Sequence, residues 1–198
     1  MEGITSKEME VVLVLLKDYG KDYNANNLSK LVGLTPMGAL KILKRLEGKR
    51  LLVSRQMGKA VFYKPDYGSE YSLKYLSFLL MKESDESQPK VRRWVAELRI
   101  LGEHAEIGVL FGSVLSKENP EDIDLLLVLA QRQNDKVNDV ICSINKLNLR
   151  KIHTVKQSRD DLIENMKKKD KVVVNALKNG VVVFGHEKLI KVIGDVSR

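Results

Sequence analysis

The sequence predicts an α+β protein of two domains joined by a connecting helix. Three observations support this fold class: capping signals for three short helices, a glycine-containing hairpin pattern directly after them, and alternating strands and helices from residue 89 onwards. The chain has 198 residues, which is enough for two small domains that each bury a core. We place the domains at residues 1–66 and 89–198, with the connecting helix and linker at residues 67–88.

Capping residues define the first three helices. Thr5 is followed three residues later by Glu8, which is the spacing of a capping box, and a helix follows. A second helix begins near Asn24. A third has Thr35 as its cap and Pro36 at its first position, where proline fits a helix well. Three helices are therefore predicted before residue 49.

The segment after the third helix predicts a β-hairpin that carries positive charge. Two runs rich in β-branched and aromatic residues flank Gly58 in the stretch LLVSRQMGKAVFYKP. The net charge of the chain is +8, and residues 36–64 contain eight basic residues against one acid, Glu47. The positive charge therefore lies on the third helix and the hairpin, which favours an acidic partner there.

Three helices and a hairpin within 65 residues resemble the winged helix-turn-helix family of DNA-binding domains. The phrase NLSKLVGLTPMGALKILKRLEGKRLLV is of the kind found in small prokaryotic regulators of transcription. The resemblance implies that double-stranded DNA is the partner and that the third helix enters its major groove. Two alternatives stay open: a solvated lysine face without a ligand, and a protein partner. The implied base contacts are Met37 and Lys41, and the implied DNA backbone contacts are Lys44, Arg45, Arg55 and Lys59.

The connecting helix is apolar on nearly all sides in the stretch SEYSLKYLSFLLMKE. Such a helix must be covered by other protein. It could pack between the two domains, form a homodimer through residues 69–83, or pack only on its own winged domain. The side chains expected to be covered are Leu73, Leu76, Leu79, Leu80, Tyr75 and Phe78.

The second domain is predicted to be α/β, with a small mixed sheet whose central strands are apolar on both faces. Asp122 and Asp124 stand at the start of one such strand. Side chains two residues apart on a strand point to the same side, so the carboxylates lie together and repel. A divalent cation with oxygen ligands relieves this repulsion. The Gly112–Ser113 turn after the preceding strand offers backbone and hydroxyl groups to a phosphate.

The order of strand, Gly-Ser, spacer and Asp-x-Asp resembles the nucleotidyltransferase superfamily of DNA polymerase beta, in its minimal prokaryotic form. The resemblance covers roughly residues 89–190 and includes the closing phrase ALKNGVVVFGHE. It implies that Gly112 and Ser113 bind the phosphates of a nucleoside triphosphate. It also implies that Asp122 and Asp124 bind Mg²⁺.

Two features of that superfamily are missing here. The segment VLSKENPE, directly after the Gly-Ser turn, lacks the usual arginine and glycine, and the strand RKIHTV has no carboxylate to act as general base. His153 on that strand is either a substitute base or a structural residue, so the catalytic residue stays unassigned.

Two functions are consistent with this sequence. The first is a DNA-binding regulator whose second domain is catalytically weakened or inactive and binds a nucleotide or a partner protein. The alternative is an active Mg²⁺-dependent nucleotidyltransferase that modifies a protein or a nucleic acid, including an antitoxin-type enzyme.

The remaining features predict the cellular setting. The single cysteine, Cys142, lies in a predicted amphipathic helix and is expected to be a buried structural thiol. The lack of a second cysteine indicates either a reducing compartment or simple core packing. No apolar run approaches the roughly 18 residues of a membrane span, and the start MEGITSKEME does not have the pattern of a signal peptide. We therefore expect a cytoplasmic protein without a membrane partner.

Overall fold

A computed structural model of the chain describes residues 3–197. These residues divide into two compact units, one formed by the residues up to Leu79 together with those from Ile193 onwards, and the other by Leu80–Val192. The described residues form nine α-helices and two small sheets, so the α+β class is confirmed. Within residues 3–197, no helix is long and apolar enough to cross a membrane.

The first unit begins with the three predicted helices, α1 (Ser6–Lys17), α2 (Ala25–Leu31) and α3 (Pro36–Gly48). A four-residue connection joins α2 to α3 and contains Gly33 at φ +64°, a conformation that favours glycine. The arrangement of α2 and α3 is therefore that of a helix-turn-helix. The predicted caps Thr5 and Thr35 are present, and Asn24, near which the second helix was predicted to begin, caps α2.

The predicted hairpin is also present, as β1 (Leu52–Met57) and β2 (Ala60–Pro65), which pair antiparallel. Its two-residue turn has a positive φ only at Gly58, which is the pattern of a type II′ turn. The amide of Tyr63 on β2 donates to the carbonyl of Tyr23, 2.8 Å away, and so ties the hairpin to the segment before α2. The three helices and this hairpin form a winged-helix unit.

The connecting helix is α4 (Glu70–Asp85). The hydroxyl of Ser72 donates to the carbonyl of Leu51 over 3.2 Å, and Leu76 and Leu79 are fully buried. The start of α4 therefore packs on the winged-helix unit. On the opposite side, Tyr71 and Phe78 are 58% and 48% exposed.

The second unit contains a four-stranded mixed sheet with the strand order β5-β4-β3-β6. The strand β4 runs parallel to β5, and β3 runs antiparallel to both β4 and β6. The remaining elements in chain order are α5 (Pro89–Leu98), β3 (Ile107–Phe111), β4 (Asp122–Val128), α6 (Asn134–Leu147), β5 (Lys151–Gln157), α7 (Arg159–Lys167), α8 (Lys171–Asn179), β6 (Val181–Phe184) and α9 (His186–Val196).

The core of this unit confirms that the central strands are apolar on both faces. All of β3 and the second half of β4 are buried. One face of the sheet packs against α5 and α6 through one cluster of apolar side chains. Prominent members of that cluster are Leu110, Ile123, Leu125, Leu127, Val91, Trp94, Leu98, Val137, Ile141 and Ile144.

The prediction of a buried thiol at Cys142 is wrong, because Cys142 is exposed. The helix α6 turns Val137, Ile141 and Ile144 towards the core, at spacings of four and three residues. Residues at these spacings share one face of a helix. Cys142 lies on the neighbouring, solvent-facing side.

Candidate functional site

The helix α3 turns one face to the core and the other to solvent. Ala39, Leu43 and Leu46 are fully buried. Met37 is 64% exposed, and Lys41 is also exposed on the opposite side. Lys44 follows three residues later on the same face and is exposed too. Among the described residues, no carboxylate pairs with either lysine.

Arg45 has a different environment from these lysines. Its Nε lies 3.2 Å from Oε1 of Glu8, close enough for an ion pair but not aligned as a hydrogen bond, and its Nη2 donates to the carbonyl of Gly3. Glu8 is only 1% exposed. Its Oε2 accepts from the amide and the hydroxyl of Thr5, at 2.7 and 3.0 Å. Arg45 therefore neutralises a buried carboxylate of α1, and its contact with DNA stays a prediction.

The hairpin carries two further exposed cations, Arg55 on β1 and Lys59 in the turn. Lys64, by contrast, pairs with Asp22 at 3.4 Å. Glu47, the single acid of this stretch, accepts a hydrogen bond from the hydroxyl of Ser54. We name the exposed set the basic surface of the winged-helix unit, which consists of Lys41, Lys44, Arg55 and Lys59.

In the second unit, the two predicted metal ligands lie on the same side of β4. Asp122 and Asp124 are partly exposed, whereas Ile123 between them is fully buried on the other face. Phe111, at the end of β3, pairs with Asp124. The residue that follows, Gly112, therefore lies beside the same carboxylate.

The contact between Gly112 and Asp124 is close enough to require a glycine. A Cβ atom built on Gly112 would stand 2.1 Å from Oδ2 of Asp124, and the φ of Gly112 is +80°. Ser113 follows in a short 3₁₀ turn, partly exposed. The structure thus places the glycine-serine turn and the aspartate pair next to each other, at the end of β3 and the beginning of β4.

The neighbouring strand β5 places a histidine opposite this pair. In the parallel register His153 lies opposite Asp124, and Lys151 lies opposite Asp122. The Nδ1 atom of His153 is 3.3 Å from Oδ2 of Asp122. An imidazole therefore lies beside the aspartate pair, on the strand that neighbours β4.

The electrostatics of Asp124 follow from this arrangement. Partial burial raises the pKa of Asp124 above its ordinary value, and repulsion by the carboxylate of Asp122 raises it further. The charge of His153 acts in the opposite direction. A cation bound between the two aspartates would relieve this repulsion.

We expect Asp124→Asn to raise the melting temperature of the protein near neutral pH. Because the pKa of Asp124 is raised in the folded state, protonation of this carboxyl stabilises the fold. This stabilisation is fully present below the unfolded pKa of 3.8. That contribution is lost as the pH rises through the folded value. The gain from Asp124→Asn should therefore shrink between about pH 7 and about pH 4, as measured by thermal melts. The exposed-site variant Asp139→Asn is the control, and a pH-independent gain would contradict the assignment.

The two carboxylates beside the Gly-Ser turn are a donor set that one Mg²⁺ would share with a ligand. Mg²⁺ keeps several waters and is commonly held by one or two carboxylates together with substrate phosphates. Asp122 and Asp124 supply two such carboxylates. Among the described residues, no group of three or more His, Cys, Asp and Glu side chains is placed to hold a metal ion.

Comparisons with known proteins find only distant similarity. No protein-family model matches the sequence, and no curated protein matches it. Among solved structures, Lactococcus lactis ZitR, described as a zinc-responsive MarR family member, is 14% identical. That match covers 52% of this chain and 76% of the other, with a TM-score of 0.30. The structure of a ZitR mutant is 16% identical over 51% of this chain and 75% of the other, also with a TM-score of 0.30.

Proposed function

We propose that the chain is a DNA-binding regulator of transcription and that its winged-helix unit binds double-stranded DNA through α3 and the hairpin. The observation that carries this proposal is the exposed face of α3. Two lysines without carboxylate partners lie on the second helix of a helix-turn-helix, next to an exposed methionine. A helix of this kind fits the major groove of B-DNA.

The residues of this unit divide into three roles. Met37 and Lys41 lie near the start of α3, the part of a recognition helix that reaches base edges. The other members of the basic surface neutralise phosphates, which position the protein without reading sequence. Arg45 also holds α3 against α1 through the buried Glu8, and its predicted contact with the DNA backbone remains part of the proposal.

The salt dependence of binding to DNA tests this proposal. A labelled duplex of about 30 base pairs spans two half-sites and is titrated with the full chain between about 50 and 200 mM salt. The logarithm of the association constant should fall with the logarithm of salt with a slope of about −0.9 per neutralised phosphate. For Lys44, Arg55 and Lys59 the expected slope is about −3 per protomer. A slope near zero would mean that the basic stretch does not meet duplex DNA.

For the second unit we propose a nucleotide-binding role without efficient turnover. Asp122 and Asp124 would hold Mg²⁺, and the turn of Gly112 and Ser113 would contact the phosphates. Mg²⁺ would supply positive charge to those phosphates. The missing general base supports the loss of turnover, because such a group typically contributes about 10² to 10⁴ in rate.

An active nucleotidyltransferase is the second candidate function, and one observation favours it. The imidazole of His153 lies beside Asp122 at 3.3 Å, within reach of the site where a base would be needed. In this reading the winged-helix unit delivers a protein or nucleic-acid acceptor, as it would in an antitoxin-type enzyme.

Calorimetry followed by a transfer assay separates the two roles of the second unit. The full chain is titrated with each nucleoside triphosphate in the presence and absence of Mg²⁺, and transfer of labelled nucleotide to protein or nucleic acid is then measured. Transfer that disappears in Asp124→Asn would establish the enzyme. Mg²⁺-dependent binding without transfer would support the regulator.

We also propose that the regulator acts as a homodimer through α4. The exposed Tyr71 and Phe78 leave an apolar strip on this helix, and the ring of Tyr75 lies 6.3 Å from that of Phe78. A two-fold dimer would present two α3 helices to half-sites about 34 Å apart on DNA. Sedimentation of the wild type and of Phe78→Glu tests the dimer, since a monomeric wild type at all concentrations excludes it.

A further inference from the structure

The strand β5 forms an open edge of the four-stranded sheet. It is seven residues long and stands at one end of the strand order. Within residues 3–197 no strand pairs with its outer side. An unpaired edge of this length presents backbone donors and acceptors that another chain can use.

Two hydrogen bonds show which backbone groups face outwards. The carbonyl of Gln157 accepts from the amide of Leu129, so the odd-numbered residues of β5 direct their backbone groups towards β4. The amide of Ile152 instead donates to Oδ1 of Asn145, 2.8 Å away. The even-numbered residues therefore direct their backbone groups away from β4. Thr154 lies in the middle of this outer row, with its amide and carbonyl on the open side.

The loop before β5 is fixed and holds two leucines in solvent. Asn148 is 9% exposed, and its side chain accepts from Arg93 and donates to Glu97 and to the carbonyl of Ile144. Leu147 and Leu149 on either side of Asn148 are 86% and 98% exposed. Because the loop is pinned through Asn148, these leucines form a constant apolar feature beside the start of the open edge.

The charge of residues 146–157 indicates which kind of polypeptide segment would pair with the open edge of β5. Residues 146–157 contain four basic residues and no acidic residue. Lys151 donates to the backbone carbonyls of Asn145 and Asn148. A second copy of β5 paired antiparallel would bring like charges together, which is unfavourable. An acidic strand would instead bring opposite charges together, which is favourable. The four basic residues are Lys146, Arg150, Lys151 and Lys156.

We propose that β5 accepts an extended, acidic segment of a partner protein, which adds to this sheet as a further strand. The outward backbone groups of β5 would provide the hydrogen bonds, and the basic side chains would select acidic residues. Leu149 would contact an apolar residue of the added segment. None of the residues of this binding surface belongs to the basic surface of the winged-helix unit, whereas His153 on the same strand lies 3.3 Å from Asp122 of the proposed nucleotide site.

A peptide of about eight residues with alternating Glu and Val is a suitable probe, since strands in proteins are about this long. Its binding to the full chain is followed by fluorescence anisotropy, with an alternating Lys and Val peptide as the charge control. We expect saturable binding of the acidic peptide only. Leu149→Ser should weaken that binding about fivefold through lost apolar contact.

Thr154→Pro and Thr154→Val form the decisive pair of variants. Proline removes one outward amide while the pairing of β4 with β5 stays possible, because an edge strand tolerates proline where its N–H faces solvent. Valine keeps the amide. We expect Thr154→Pro to weaken peptide binding about tenfold or more and Thr154→Val to leave it unchanged.

Methylation of alternate amide nitrogens in the peptide removes the hydrogen-bond donors of the added strand. It therefore tests strand pairing even if the Thr154→Pro variant does not fold. Equal binding of the acidic and basic peptides, or binding that resists both the proline and the methylation, would overturn the proposal. Preferential binding to anionic vesicles, or a dimer that Thr154→Pro abolishes, would overturn it in favour of a membrane or a second copy.

Discussion

We expect reversal of the charges of Lys41 and Lys44 to glutamate to raise the dissociation constant for duplex DNA by about 100-fold near 0.1 M salt. Each reversal removes an attraction to the DNA and adds a repulsion. Together these effects are worth about 1.4 kcal/mol per residue, which is a tenfold change in affinity. Both side chains lie on the exposed face of α3, so the substitutions leave the buried face of that helix unchanged.

A matched control separates this local effect from the effect of total charge. Lys136→Glu combined with Lys191→Glu changes two exposed lysines elsewhere. Each reversal removes two units of charge, so both double variants fall from the net charge of +8 to +4. Fluorescence anisotropy with the same duplex should show near wild-type affinity for the control. Equal losses in the two double variants would mean that only net charge matters and that α3 is not the contact helix.

We expect Arg45→Met to lower the free energy of unfolding by about 3 kcal/mol, which is the lower end of the range for removing one partner of a buried ion pair. The lower end applies because the Arg45 side chain is 35% exposed. Glu8, by contrast, is 1% exposed and would lose its neighbouring guanidinium. Urea denaturation followed by circular dichroism measures this loss.

A second substitution at Glu8 tests the cause of that loss. Glutamine can still reach back to the amide of Thr5 as a capping box requires, and it carries no charge to leave unpaired. The double variant Glu8→Gln with Arg45→Met should therefore be more stable than Arg45→Met alone, by about 1.5 kcal/mol. A double variant as unstable as the sum of its single changes would show that packing of the arginine stem, rather than the unpaired carboxylate, sets the cost.

The local features of the fold were predictable from the sequence because each has a local cause. A cap such as Thr35 needs only its own helix, and a turn such as that at Gly58 needs only the two strands it joins. The same alternation that defines β4 also predicts that Asp122 and Asp124 share one side. These parts of the candidate site depend on neighbours within a few residues along the chain.

The features that sequence reasoning missed depend on residues that lie far apart in the chain. The helix face of Arg45 was predictable, but its partner Glu8 comes from another helix. The pairing of His153 with the aspartates depends on the parallel register of β5, which no local pattern reveals. The prediction for Cys142 was wrong because this residue directly follows the buried Ile141. A helix turns by about 100° per residue, so neighbouring residues can lie on different faces.

The close approach of Gly112 to Asp124 has a consequence for how sequence motifs of this kind are interpreted. Any larger residue at position 112 would collide with the carboxylate and would have to adopt a left-handed backbone conformation. Selection for folding alone would therefore retain this glycine through evolution, even in a lineage whose chemistry had been lost. A glycine retained at this position is therefore evidence of a steric requirement of the fold, and it is not by itself evidence of catalytic activity.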